Sequence, residues 1–401
     1  MCLDAPFSSD STPLIAYTAA ASKIPTRAPD AWRALDTVTF PVAGIARCSV
    51  LDDYYGGHDA NARSCIVPSK TPVVDIHAHV FPDALGNFGT KGDPRWPRLI
   101  TGSADGQIMC GDRLFRRVQP ALWDVETRLR ELDDAGVDRQ LVSPVPVTLV
   151  YWAPADEAAS FARSMNDGIA EQVDASHGRL AGLGAVPLQD VDLAIDELTR
   201  IVHELKLDGA EIGTVIGGRE LDDPALRPFF AAAERLGATL YVHPLDGGEH
   251  VIRRSGSPYD FGIGMLTDTA IAATALVFGG VLEEHPTLRI VLAHGCGSYA
   301  WTYPRTRTWA QFSGADPSRL DALTRMLWVD SLVFDGDHLP LLVRRFGADH
   351  VMVGTDYPFI PGQLRAAPAL VRDAADDGLI RHEVADGILS GNAETLLHRC
   401  H

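Results

Sequence analysis

The chain predicts a (β/α)₈ barrel, an α/β fold of the TIM type, and three observations carry that reading. From residue 72 onward, short apolar runs alternate with amphipathic stretches, the pattern of parallel strands covered by helices. Eight such strand–helix units fit between residues 72 and 397. Several of the strands end in His or Asp, and a closed barrel gathers its strand C-termini at one mouth. A doubly wound open sheet is the alternative, but no Gly-rich dinucleotide turn follows the first strand.

The first strand, residues 73–79, reads Val-Val-Asp-Ile-His-Ala-His. Alternate side chains share a face, so His77 and His79 point together toward the mouth. Two convergent imidazoles are half of a metal site. Chance alone gives roughly 0.5 His-x-His triplets in a chain with 14 His among 401 residues, so the pair needs partners elsewhere. Residues 80–122 form a long insertion with Trp96 and a hairpin-like stretch at 107–118, the kind of segment that acts as a lid or subunit contact.

A helix follows at 124–135, stopped by Gly136. Strand 2 (139–143) precedes a helix at 155–176, and strand 3 (180–186) a helix at 191–205. Strand 4 (209–213) leads into a helix at 224–236. Strand 5 (239–243) opens a Gly-rich loop through residue 264 and a helix to about 284. Strands 6, 7 and 8 read at 289–294, 328–333 and 350–355, and helices at 364–376 and 381–397 close the chain. Residues 1–70, rich in Ser, Thr, Pro, Ala and Gly, read as an irregular extension outside the barrel region 71–401.

Composition narrows the function. With 46% hydrophobic residues the chain can bury one large core. Lys+Arg 35 against Asp+Glu 53 leaves a net charge of −18, which argues against nonspecific nucleic-acid or anionic-membrane binding. An anionic substrate would therefore need locally placed cations; arginines near the mouth gain interest because lysines are few (Lys23, Lys70, Lys91, Lys206). The six cysteines are scattered without a CxxC pair, so a reduced compartment is expected. No run reaches 18 apolar residues, and residues 13–21 lack a basic flank, so the expectation is a cytoplasmic protein without a membrane span.

The remaining ligands appear at later strand ends. Strand 5 ends Val242-His243-Pro244, strand 6 ends Ala293-His294-Gly295, and strand 8 runs Gly354-Thr355-Asp356. Singly each has a bland reading: His243 a core histidine, Asp356 a turn cap. Jointly, one assumption of barrel closure brings four His and one Asp into one volume as metal ligands and an acid/base group. His203, His250, His338, His382, His398 and His401 fall on helices or loops and read as structural or surface residues.

This ordered set resembles the metal-dependent amidohydrolase superfamily, and within it decarboxylases of the 2-amino-3-carboxymuconate-6-semialdehyde type. The resemblance spans residues 72–397 and rests on Val74-Asp75-Ile76-His77-Ala78-His79, Trp123-Asp124, Tyr151-Trp152-Ala153, Val242-His243-Pro244, Ala293-His294-Gly295, Gly354-Thr355-Asp356-Tyr357-Pro358-Phe359 and Gly391-Asn392-Ala393. It implies that His77, His79, His243 and Asp356 ligate one divalent ion, zinc first and manganese second, with His294 as the acid/base residue beside it. Residues 209–213 lack the lysine that bridges two metals in other superfamily members, which implies a single ion unless Glu211 bridges.

The same resemblance implies that Arg116 and Arg305 hold substrate carboxylates, with Arg117 and Arg307 as alternatives, and that Arg305 reaches a neighbouring subunit's pocket in a homodimer. A planar guanidinium fork suits that task. Two departures stand out. Leu245 replaces a family Trp, so Trp152 or Trp301 is the expected stacking wall, and Cys296 replaces a Gly. The expected activity is nonoxidative decarboxylation of an unsaturated or aromatic amino- or hydroxy-carboxylic acid. A hydrolase of a lactone or amide is the rival, and a noncatalytic metal-binding protein the third reading.

Overall fold

Eight parallel strands pair side by side in chain order. They are β1 (Val74–Val80), β2 (Arg139–Pro144), β3 (Leu180–Ala185), β4 (Gly209–Gly213), β5 (Thr239–His243), β6 (Arg289–Leu292), β7 (Trp328–Asp330) and β8 (Val351–Met352). The computed structural model describes residues 71–397 apart from 84, 86, 87, 89–92, 94, 103, 246, 249 and 250. The expected extension over residues 1–70, with His250, His398 and His401, lies outside the described residues. Closure comes from the chain just past β8: Ala78 bridges Tyr357 in parallel, Ile76 N–H donates to Val353 O (2.9 Å) and His79 N–H to Tyr357 O (2.8 Å). The predicted barrel is thus the observed one.

Each barrel strand is followed by a covering helix: α1 (Val125–Ala135), α2 (Ala155–Ala175), α3 (Val191–His203), α4 (Arg227–Leu236), α5 (Met265–Phe278), α6 (Tyr299–Phe312), α7 (Leu339–Phe346) and α8 (Gln363–Asp376). Local signals set their ends. Asp124 caps α1 by accepting from Thr127 N–H (2.7 Å), and Gly136 ends it in the left-handed region at φ 71°. The helix expected to run to 284 instead stops at Phe278, and a short one follows at Val281–Glu284, because Gly280 turns the chain at φ 86°. The stretch Asp260–Phe278, with mean hydropathy 1.6, is long and apolar enough to cross a membrane by composition alone. In this fold its Ala270, Ala272, Ala273, Leu276 and Val277 are buried in the core.

Inside the barrel, Val74, Ile76, Leu141, Leu183, Tyr241, Val291 and Met352 form one cluster. Ala393 and Leu396, from the last helix Asn392–Leu397, join it. The register between β1 and β2 shifts between Asp75 and Ala78. Val74 and Ile76 pack with the interior, whereas His77 and His79 join the mouth, so the irregularity changes which parity faces inward.

Within the insertion, the expected hairpin is present as Gly106–Cys110 and Arg113–Val118. A third antiparallel strand, Pro97–Thr101, pairs with it beyond what the Pro-flanked sequence suggested. This small sheet carries Arg116 to the mouth.

Candidate metal centre

His77 and His79 come from β1, His243 from the last position of β5, and Asp356 from the loop after β8. All four are buried, and one ligand atom from each lies within 4.8 Å of the others. Asp356 Oδ1 is 3.2 Å from His79 Nε2 and 3.8 Å from His77 Nε2. The structure thus brings together the four residues named as ligands from sequence.

Each imidazole is held by its other nitrogen. His77 Nδ1 donates to Asp330 Oδ2 (2.8 Å), His79 Nδ1 to Pro144 O (3.1 Å), and His243 Nδ1 to Pro244 O (2.7 Å). That fixes the tautomers and turns Nε2 inward. The Nε2 atoms of all three have no hydrogen-bond partner despite burial. Unpaired buried polar atoms are costly, so three of them aimed at one carboxylate mark a place built for a cation.

Electrostatics agree. Burial holds His243 well below the ordinary imidazole value, helped by the nearby His294, and lowers His79 as well. In His77 burial presses downward too, but the Asp330 hydrogen bond and surrounding carboxylates reverse it, to about 9. Burial opposes ionisation of Asp356, yet the adjacent His79 and the charges of the surrounding imidazoles hold its carboxyl far below the ordinary range. The carboxylates around His77 thus favour positive charge at the cluster, which a metal cation would supply. The residues fit one divalent ion.

His294 lies beside the cluster with ring centroids 5.2 Å from His77 and 5.0 Å from His243. The expected strand to 294 ends at Leu292, and His294 itself adopts a left-handed conformation (φ 58°, ψ 44°). Its Nδ1 has no partner, and burial, then the His77 charge, lower its pKa to about 4. Glu211, at the strand-4 position, sits 3.7 Å from His79 Nδ1. Burial raises its pKa to about 8 against the pull of the Ser143 hydroxyl.

Sequence reasoning missed the supports. Asp330 in β7 accepts from His77 Nδ1 (2.8 Å), the Tyr241 hydroxyl (3.0 Å) and the His294 backbone N–H (2.7 Å). Asp75, which simple alternation would align with the two histidines, turns instead to Gln140 Nε2 (2.7 Å) and the Thr355 hydroxyl (2.6 Å). The buried Arg128 of α1 bonds Gln140 and donates to His79 O (2.6 Å). The one available signal was a charged residue inside an apolar strand or on a helix's buried face.

Arg116 donates to Phe359 O (2.9 Å), and its guanidinium lies 4.9 Å over the Phe359 ring. Phe359 in turn packs on His79 with ring centroids 5.6 Å apart. Arg117 is exposed, and Arg307 pairs with Asp321 (2.9 Å). Arg305 and Trp301 lie on the exposed side of α6, Trp301 being 81% exposed, so neither joins the cluster within this chain. Trp152 is half-buried, packed on Trp96 (5.2 Å) with the Arg95 guanidinium 4.1 Å above it.

A family model described as Amidohydrolase matches residues 74–399. A 2-amino-3-carboxymuconate-6-semialdehyde decarboxylase from Dictyostelium discoideum is 35% identical over 304 residues, covering 73% of this chain and 84% of its own length. Among solved structures, the 5-carboxyvanillate decarboxylase of Sphingomonas paucimobilis superposes with a TM-score of 0.66 at 24% identity, covering 82% of this chain and 99% of its own. A dihydroxybenzoic acid decarboxylase from Polaromonas sp., solved with bound manganese, gives 0.61 at 21% identity, with 82% and 97% covered. The chain belongs to the amidohydrolase family. Within it, the chain is a metal-dependent carboxy-lyase, like the Dictyostelium decarboxylase to which it is 35% identical over 304 residues.

Proposed function

We propose that this protein releases CO₂ from a small unsaturated or aromatic amino- or hydroxy-carboxylic acid, with one divalent ion held by His77, His79, His243 and Asp356. The observation that carries the reading is the convergence of three unpartnered imidazole Nε2 atoms on one buried carboxylate. When bound, such an ion supplies Lewis-acid polarisation and an acidified water. Three neutral imidazoles and one carboxylate leave the site net positive toward an anionic substrate. Zinc is the proposed metal because a His₃Asp set suits it; manganese is the second choice, supported by the Polaromonas neighbour.

The bond from carbon to the departing carboxylate breaks with its electron pair left on carbon. That carbon takes one proton as CO₂ leaves. His294, whose pKa burial lowers, takes a proton from water and passes it to that carbon, and so acts as a shuttle. Arg116, steadied on Phe359 beside the ligands, pairs with a substrate carboxylate.

The second clamp is proposed to be Arg305 of a partner subunit. Trp301, Arg305, Trp309 and Phe312 recur on one exposed helical face of α6, and the three aromatics are 81%, 60% and 75% exposed. Such a patch supports a contact with a second copy of this chain, which is the proposed homodimer. Trp152 and Trp301 remain the proposed stacking walls, Trp301 across that contact. The scattered cysteines support a cytoplasmic location.

The test is a panel of aromatic and unsaturated acids given to protein reconstituted with zinc or manganese. Carbon dioxide equal to the substrate consumed is the expected result. Ring opening or bond hydrolysis without carbon dioxide would assign the site to the rival hydrolase.

A further inference from the structure

Asp330 is fully buried and receives five hydrogen bonds. Its Oδ2 accepts from His77 Nδ1 (2.8 Å), the Tyr241 hydroxyl (3.0 Å) and the His294 backbone N–H (2.7 Å). Its Oδ1 accepts from the backbone N–H groups of Gly295 (2.8 Å) and Leu332 (3.0 Å). Two of those donors open a run, His294 to Gly297, in which every residue has positive φ: 58°, 61°, 64° and 56°. The adjacent N–H groups of His294 and Gly295 both point at one carboxylate and form an anion-binding concavity in this turn. The anion filling it here is a side chain of the same protein.

We infer that Asp330 is a positioning residue that locks the His294 imidazole to the His77 ligand, one carboxylate setting both. The inference rests on the roles proposed above for His77 and His294. Through His77, Asp330 selects the nitrogen that faces the cluster, because an Nδ1–H held by a carboxylate leaves Nε2 for the ion. Through the concavity, it holds the left-handed backbone of His294, a conformation that non-glycine residues adopt only when their surroundings enforce it. The turn has little room to move elsewhere: a Cβ on Gly295 would lie 2.8 Å from Val333 Cγ1. Two groups, one from β1 and one from the turn after β6, are thereby referenced to one point on β7.

The experiment is a double-mutant cycle read by Mn²⁺ affinity, from electron paramagnetic resonance titration, and by kcat at saturating Mn²⁺. Asp330→Asn keeps the shape but presents an NH₂ to the donors. Weakening of Mn²⁺ binding by about 10–100-fold is expected, with KM nearly unchanged. At saturating Mn²⁺ kcat should fall by roughly 100-fold in the native background and stay level in His294→Ala, where the group being positioned is gone. An equal fall in both backgrounds, or no fall in either, overturns the inference.

Tyr241→Phe decides the matter if the Asn variant does not fold. It removes one donor at constant shape, and a fall in kcat of a fewfold confined to the His294-containing background is expected, whereas unchanged kcat overturns the inference. If the native protein itself neither binds Mn²⁺ nor releases CO₂, the proposed function fails instead.

Discussion

The two sides of the site are built differently. His77, His79 and His243 ride on hydrogen-bonded strands, whereas His294 and Asp356 lie beyond their strand ends, both with positive φ (58° and 54°). On the first side, strand geometry aims the side chain and a backbone or side-chain acceptor at Nδ1 fixes its ring. On the second side the backbone leaves the sheet, and contacts from distant elements hold it. The Asp356 N–H donates to His77 O (2.9 Å), and the His294 N–H to Asp330 (2.7 Å). Residues carried by strands are aimed by local periodicity, and residues past the strands by tertiary anchors.

Substitutions can break or sharpen this contrast. The largest effect should come from the ligands on either side. His77→Ala and Asp356→Ala should each abolish stoichiometric metal in elemental analysis and cut turnover by on the order of 10³-fold, the scale of a lost Lewis acid worth several kcal/mol. Metal retained at full stoichiometry in either variant would remove that residue from the ligand set. Next, His294→Ala should lower kcat by about 10²–10⁴-fold while leaving the ion bound. Loss of the ion there would make His294 a ligand and erase the division of roles.

A smaller effect tests the anchors themselves. A Cβ on Gly354 would lie 2.6 Å from Asp330 Cβ and 3.0 Å from His77 Cβ, so the backbone just past β8 approaches these two groups as only glycine permits. Gly354→Ala should therefore cost about 1–3 kcal/mol of stability in denaturant titration and weaken metal binding. Wild-type stability and affinity would show that this side tolerates displacement. Last, Arg305→Ala should raise KM about tenfold with kcat little changed, as loss of one carboxylate clamp does. Mixing it with His294→Ala protein should restore part of the activity if the arginine acts across subunits; no recovery on mixing would confine it to its own chain.

Much of this was legible in the sequence because the signals are local. Alternating apolar runs gave the eight strands, Gly136 marked the end of α1, and the His-x-His pair fell on β1 as periodicity requires. Legibility failed where a residue's role comes from another strand. Asp75 has the same parity as the histidines, yet the register shift in β1 sends it to Gln140. Asp330 sits in a strand that carries no ligand, so no spacing pointed to it. Strand 6 read two residues too long, since nothing near His294 announces that a carboxylate 36 positions later captures its backbone N–H.

The sequence by itself determined the identity and chain order of the candidate ligands and the barrel that could unite them, because both follow from short-range periodicity and residue chemistry. Tertiary structure alone decided which imidazole nitrogen faces the centre, where His294 stands, and which buried acids serve as supports. Those depend on hydrogen bonds between strands far apart in the chain, and such bonds exist only once the barrel has closed.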